Sequence, residues 1–243
     1  MDILLVNPNT SKSMTEQITM SAQSVISPKT NLISTYSKEG PPSIEGFYDE
    51  AFCLPGLLAE VRKYSKKKCE GVVIACFDDT GVDAARSIID QPVIGICQAS
   101  MQTASILSNS FSIITSLERS IPAIENLVIK YGMERFCKSI IASNIPVLDL
   151  DKNESYAKSI ISKIIENILK DNLSESIILG CAGMSNLATQ LTNEFKIPII
   201  DCVTSAIKII EGIIVMNLKT SKRIGYSKPL KKEYTGRFNR DKP

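Results

Sequence analysis

Short apolar runs alternate with longer stretches of helical periodicity, and the whole alternation occurs twice along the chain. The first run is Ile3 to Val6. A helical stretch from Lys12 to Ile26 follows, with Thr10 or Ser11 placed to cap it. Asn31 to Tyr36 is a second short run. A loop crosses Gly40-Pro41-Pro42-Ser43 and leads to a helical stretch over Tyr48 to Lys67, which Pro55 is expected to interrupt. Gly71 to Cys76 is a continuous apolar run of the kind that forms a parallel strand buried on both faces. A helix over Val82 to Ile89 and a short strand over Pro92 to Ile96 complete the first half.

The second half repeats this order. Phe111 to Thr115 reads as a strand and Leu117 to Tyr131 as a helix, with Pro122 tolerable only near its start. Lys138 to Ala142 is a strand. Ser155 to Leu169 carries Ile160, Ile161, Ile164, Ile165 and Ile168 on one helical face. Ser176 to Gly180 runs as a buried strand into Cys181, followed by a helix over Leu187 to Phe195 and a last strand over Ile197 to Ile200. The spacings carry the repeat further. Asn7 to Cys76 is 69 residues and Thr115 to Cys181 is 66, while Cys76 to Pro92 is 16 and Cys181 to Pro198 is 17. This predicts an α/β fold of two halves related by a pseudo-twofold, each a parallel sheet covered by helices. In such sheets ligands sit beyond the carboxyl ends of the strands. Cys76 and Cys181 both fall there, facing a cleft between the halves.

Composition narrows the chemistry. With 243 residues, 44% hydrophobic and 22% charged, the chain reads as an ordinary soluble globular protein. A net charge of +2 gives no case for a nucleic-acid partner. The charge is uneven, because residues 219–243 hold nine Lys/Arg against Glu233 and Asp241. That tail is expected to be a solvated end or to pack on a neighbouring subunit, and the run Lys66-Lys67-Lys68 to be a solvated helix end. Met1 to Val6 is too short for a signal-peptide core, and no stretch approaches a membrane span. Seven cysteines without a C-x-x-C suggest reduced thiols in the cytoplasm and no zinc site. The chain contains no histidine, which excludes Ser-His and Cys-His catalysis. Acid/base work near neutral pH then falls to Cys, Lys, Tyr or a perturbed carboxylate.

Inverting a carbon centre by proton exchange needs one group that takes a proton from one face and another that delivers one to the other. Thiols suit the task, with an ordinary pKa of about 8.5 that a helix N-terminus lowers further. Cys76 precedes Phe77-Asp78-Asp79-Thr80-Gly81 and Cys181 precedes Ala182-Gly183-Met184, both strand-to-helix turns whose backbone N–H groups suit a carboxylate or enolate oxygen. Cys97 and Cys202 are a rival pair by spacing, since each lies 21 residues after its counterpart. Each lacks the glycine-bearing turn. Cys53, Cys69 and Cys137 read as buried structural residues.

Val6-Asn7-Pro8-Asn9-Thr10-Ser11, Ala75-Cys76-Phe77-Asp78-Asp79-Thr80-Gly81 and Leu179-Gly180-Cys181-Ala182-Gly183-Met184 resemble the hydantoin racemase branch of the aspartate/glutamate racemase superfamily. Pro41 to Gly46, Ile114 to Ser120 and Thr220 to Arg223 are also similar to it. The resemblance implies two Rossmann-like domains with an interdomain cleft. One would comprise residues 1–98 with 203–243, the other residues 99–202. It implies cofactor-independent racemisation, a homo-oligomer, and Cys76 and Cys181 as the catalytic pair, which sets the rival pair aside. It places Asn9, Ser43, Phe77, Asp78, Thr115, Ser116, Ala182 and Gly183 along the substrate pocket.

Read as residues alone, several of these have plainer roles. Asn9 is also a turn or cap residue, Ser43 also shapes its loop, and Thr115 and Ser116 also suit capping of the next helix. One of Asp78 and Asp79 is expected to cap the helix at Val82, because a carboxylate beside Cys76 opposes its ionisation. Cys76-Phe77-Asp78 departs from the Cys-Asn-Thr usual in amino-acid racemases. This favours a cyclic ureide, allantoin first and 5-substituted hydantoins more broadly second. An amino-acid racemase, a maleate isomerase or decarboxylase relative, and a non-catalytic ureide sensor are the remaining alternatives.

Overall fold

The computed structural model describes residues 1–67, 69–150, 153–171 and 174–241. Strands β1 (Asp2–Asn7), β2 (Asn31–Tyr36), β3 (Gly71–Ile74) and β4 (Val93–Gly95) form a parallel sheet in the order β2-β1-β3-β4. Strands β5 (Phe111–Thr115), β6 (Cys137–Ala142), β7 (Ser176–Gly180) and β8 (Ile199–Asp201) form a second parallel sheet in the order β6-β5-β7-β8. The two orders are the same, strand for strand. This is the doubled α/β architecture that the spacings predict.

The helices are α1 (Lys12–Val25), α2 (Phe47–Ser65), α3 (Val82–Ile88), α4 (Ile96–Leu107), α5 (Ile121–Lys130), α6 (Glu154–Lys170), α7 (Ala188–Phe195) and α8 (Cys202–Val215). Ser11 is the cap of α1, its hydroxyl accepting from Met14 N–H at 3.3 Å. In β1 the burial on both faces follows from alternation: Ile3 and Leu5 join one apolar cluster, Leu4 and Val6 the other.

Three expectations change. Helix α2 runs through Pro55 without a break, held by Cys53, Leu57, Glu60 and Val61, which are all buried. The stretch after β5 is helical proper only from Ile121, with one 3-10 turn over Glu118–Ser120 before it, and Pro122 sits in its first turn. Helices α4 and α8 go beyond the expected elements. Each follows the last strand of its sheet and crosses to the other half: α4 packs on β7, α8 on β3 and α1, and the two pack on each other.

The basic tail begins attached. Thr220 N–H donates to Asp90 O (3.0 Å) and its hydroxyl to Gln91 O (2.8 Å). Lys222 Nζ donates to the carbonyls of Arg86 and Ile89 at the end of α3, and Tyr226 OH donates to Asp83 Oδ1 (2.9 Å). Of the lysine run, Lys66 and Lys67 are exposed and Lys68 lies outside the described residues. Among the described residues no helix is long and apolar enough to cross a membrane.

Candidate active site

Cys76 and Cys181 lie just past the carboxyl ends of β3 and β7, the equivalent strands of the two sheets, and line one cavity. The chain leaves both strands in the same way. Asp79 N–H donates to Cys76 O at 3.0 Å, and Met184 N–H to Cys181 O at 3.0 Å, each closing a tight turn. Cys97 and Cys202 are fully buried at the starts of α4 and α8 and do not line the cavity.

The cavity is small, about 40 Å³. Ile44 and Val147 line it from loops in opposite halves, and these loops are tied where Val147 N–H donates to Glu45 Oε1 at 2.9 Å. A roomier groove of about 690 Å³ runs between α1, α7 and the turn after Cys181, but neither Cys76 nor Cys181 lines it.

Most of the anticipated pocket residues meet at the cavity: Asn9, Phe77, Asp78, Thr115, Ser116 and Ala182. The Asn9 side-chain oxygen accepts from Asn7 Nδ2 (2.8 Å) and Ser11 N–H (2.9 Å). Among the described residues its amide nitrogen has only the weak sulfur acceptor of Met14, at 3.2 Å, which leaves it donor capacity at the cavity wall. The capping role considered for Thr115 and Ser116 is not taken up: neither the 3-10 turn nor α5 has a side-chain cap. Two anticipated residues lie elsewhere. Ser43 is buried while its neighbour Ile44 faces the cavity, and Gly183 lines the larger groove. Asn7, Pro8, Met14, Ile44, Ser120, Val147 and Gly180 also line the cavity. Of these, Asn7, Pro8, Ile44, Ser120 and Gly180 fall in segments that stand out in the sequence, whereas Val147 carried no such signal.

Neither Asp caps α3. Its N-terminus is Gly81 in a left-handed conformation (φ 75°), without a side-chain cap. Asp79 instead reaches across to α4, accepting from Cys97 N–H (2.9 Å), Gln98 N–H (2.9 Å) and Tyr131 OH (2.7 Å). Gly95 makes room for this, since a Cβ there would lie 2.0 Å from Asp79 Oδ1.

The surroundings of Cys76 hold it as a thiol. Burial raises its pKa well above the ordinary value, and the carboxylate of Asp78 and the thiol of Cys53 add to that. The Asp78 N–H and Thr80 hydroxyl, the latter 3.7 Å from the sulfur, pull only weakly the other way. Helix α3 begins six positions later, at Val82, so Cys76 does not sit at its N-terminus. Asp78 is itself pushed up to about 7, by burial first and then by Glu50 and Asp79. Among the described residues no group of three or more His, Cys, Asp or Glu is arranged to hold a metal ion.

Two acid/base-capable thiols, contributed by equivalent strands to one cavity, define a site suited to moving a proton between the two faces of a small molecule. Comparison with known proteins gives the family. Residues 3–210 match the model of the family described as Asp/Glu/Hydantoin racemase. The chain is 43% identical over 236 residues to a hydantoin racemase of Rhizobium meliloti, covering 97% of this chain and 98% of that protein. An allantoin racemase from Klebsiella pneumoniae superposes with a TM-score of 0.95 at 38% identity, covering 98% of each chain. One from Pseudomonas fluorescens does so with a TM-score of 0.93 at 31% identity, covering 97% of this chain and 100% of that one. The chain belongs to the Asp/Glu/hydantoin racemase family, and within the isomerases it is a racemase.

Proposed function

We propose that the chain is a cofactor-independent racemase of a cyclic ureide, with allantoin as first substrate, and that Cys76 and Cys181 are its two acid/base groups. The observation that carries this reading is the placement of both thiols, from opposite sheets, on one cavity. The hydrogen to be moved sits on the ring carbon between a carbonyl and a nitrogen, where its loss leaves a delocalised enolate. One cysteine, as thiolate, takes that proton, and the S–H of the other supplies a proton to the opposite face. Turnover leaves the two protonation states exchanged, ready for the opposite enantiomer or for reset by solvent.

Asn9, Thr115 and Ser116 supply polar groups for ring carbonyls and N–H groups. The likeness to allantoin racemases over nearly the full chain supports the substrate. The likeness to hydantoin racemases supports a wider range of 5-substituted hydantoins as the second reading. The same reading has residues 1–98 with 203–243 as one domain, 99–202 as the other, and a homo-oligomer working in the cytoplasm.

The test is incubation with (R)- and (S)-allantoin in D2O, following optical rotation and loss of the ring C–H signal against an enzyme-free control. Racemisation by the wild type and a loss of about 10²–10⁴-fold in both Cys76→Ser and Cys181→Ser support the mechanism. Activity on 5-substituted hydantoins but not allantoin selects the second reading. Activity that survives loss of both thiols sinks the mechanism.

A further inference from the structure

Asp78, in the turn after Cys76, lines the cavity, yet among the described residues its side chain makes no hydrogen bond and no ion pair. What faces it is acidic. Glu50 and Cys53 come from α2, and Cys76 and Asp79 from its own loop. Glu50 Oε1 is itself buried without a hydrogen-bond partner among the described residues. Among the described residues the charged groups that shift Asp78 are Glu50 and Asp79, both acids. Carboxylates crowded together out of water do not all ionise. A carboxylic acid kept neutral in such a place has one O–H to donate, which a carboxylate lacks.

We propose that Asp78 is a third catalytic residue, which as the neutral acid donates a hydrogen bond to the ring carbonyl beside the carbon that loses its proton. The bond strengthens as that oxygen takes on enolate charge, while the proton stays on Asp78 throughout. Glu50 is a positioning residue in this scheme: its charge keeps the proton on Asp78. The rise of Asp78 to about 7 agrees with this. The same neutral state also removes a negative charge from beside Cys76 when that thiol must ionise. This inference rests on the reading of the cavity as a ureide racemase site.

The test uses full-length protein labelled at the aspartate side-chain carboxyl carbons, with Asp78→Asn to assign the signal. The carboxyl is titrated by NMR alone and with 5,5-dimethylhydantoin, which binds as a ureide but has no hydrogen on the ring carbon that would lose its proton. Titration near pH 7 that moves up by one unit or more with the ligand supports the proposal, as does a lower value in Glu50→Gln. A carboxyl already ionised at pH 6 with the ligand present, or unmoved by it, overturns the proposal.

Activity supplies the second readout, on whichever ureide the wild type racemises. Asp78→Ala is expected to lose roughly 10²–10³-fold in kcat. Asp78→Asn, which keeps an N–H donor, should stay within about tenfold of the wild type and lose the fall in rate above pH 7. An Asp78→Ala variant within threefold of wild type refutes the role while leaving the two-thiol mechanism intact. A wild type that binds 5,5-dimethylhydantoin through Asp78 but racemises no ureide removes the proposed reaction and leaves the hydrogen bond standing.

Discussion

Phe77, from the turn after β3, lies against Gly180, the last residue of β7, so the two cysteine-bearing segments touch across the halves of the molecule. A Cβ on Gly180 would sit 3.1 Å from Phe77 Cε1, 2.9 Å from Ile113 Cγ2 and 3.0 Å from Ile114 O. The backbone oxygen cannot yield, so the added methyl must push on Ile113 and Phe77 or displace β7. Gly180→Ala is expected to lower stability by about 1–3 kcal/mol through overpacking. It should also cost more activity than that loss explains, because both thiols shift. Thermal unfolding and racemisation rates on the same preparation check this, and unchanged values for both contradict it.

Glu211 on α8 ties that helix to the loop between α1 and β2. It accepts from Ser27 N–H (2.9 Å), Ser27 OH (2.8 Å), Thr30 OH (2.7 Å) and Lys208 Nζ (2.8 Å). Burial alone would raise its pKa, but these donors outweigh it and bring it to about 2. A depressed carboxylate stabilises the fold above its unfolded value near 4.5 and loses that contribution as pH falls toward 2. Glu211→Gln should therefore cost on the order of 2 kcal/mol at pH 7 and little at pH 2. Denaturant titrations at the two pH values measure the difference.

Asp79 works in the opposite direction. Burial raises it to about 6, although Tyr131 OH and the N–H groups of Gln98 and Cys97 pull it back. The native state thus holds this proton longer than the unfolded chain, and its contribution falls as pH rises from about 4 to 6. The stability difference between wild type and Asp79→Asn should shift against the wild type across that window. Thermal melts of both proteins at half-unit pH steps test the sign.

Cys97 and Cys202 share the repeat spacing of the proposed pair but sit where α4 meets α8. Replacing either with Ala trims a buried side chain and should cost roughly 1 kcal/mol. The rate per folded molecule should stay within about threefold of wild type. A loss of a hundredfold in a folded Cys97→Ala or Cys202→Ala protein would overturn the assignment of the chemistry to Cys76 and Cys181.

The strands were legible because each is a short, nearly continuous apolar run, and the doubled spacing put Cys76 and Cys181 at equivalent strand ends, although it paired Cys97 with Cys202 just as well. Helix α4 was not legible for a physical reason. Ile96, Cys97, Ala99, Ser100, Met101 and Ala104 are buried around much of it, and a helix packed on several sides has no clean polar face to announce its period. Helix α8 does carry the period, with Val203, Ala206, Ile207 and Ile210 on its buried face. The role of Asp79 was hidden too: its partners at Cys97 and Gln98 lie 18 and 19 residues away, and Gly95, which admits it, reads in sequence as an ordinary strand end. Ser43 and Gly183 fell outside the cavity because a motif fixes which segment approaches a site, while backbone direction decides which of two adjacent residues faces it.

The two cysteines occupy equivalent positions but unequal company. Asp78 and Cys53 stand beside Cys76, with Glu50 of α2 acting on Asp78, whereas the segment after Cys181 reads Ala182-Gly183-Met184 without an acid. Two enantiomers have equal free energy in water, so a racemase must have the same kcat/KM for both. The unequal surroundings therefore can appear only in kcat and KM taken separately, as one mirror image bound more tightly and turned over more slowly in compensation.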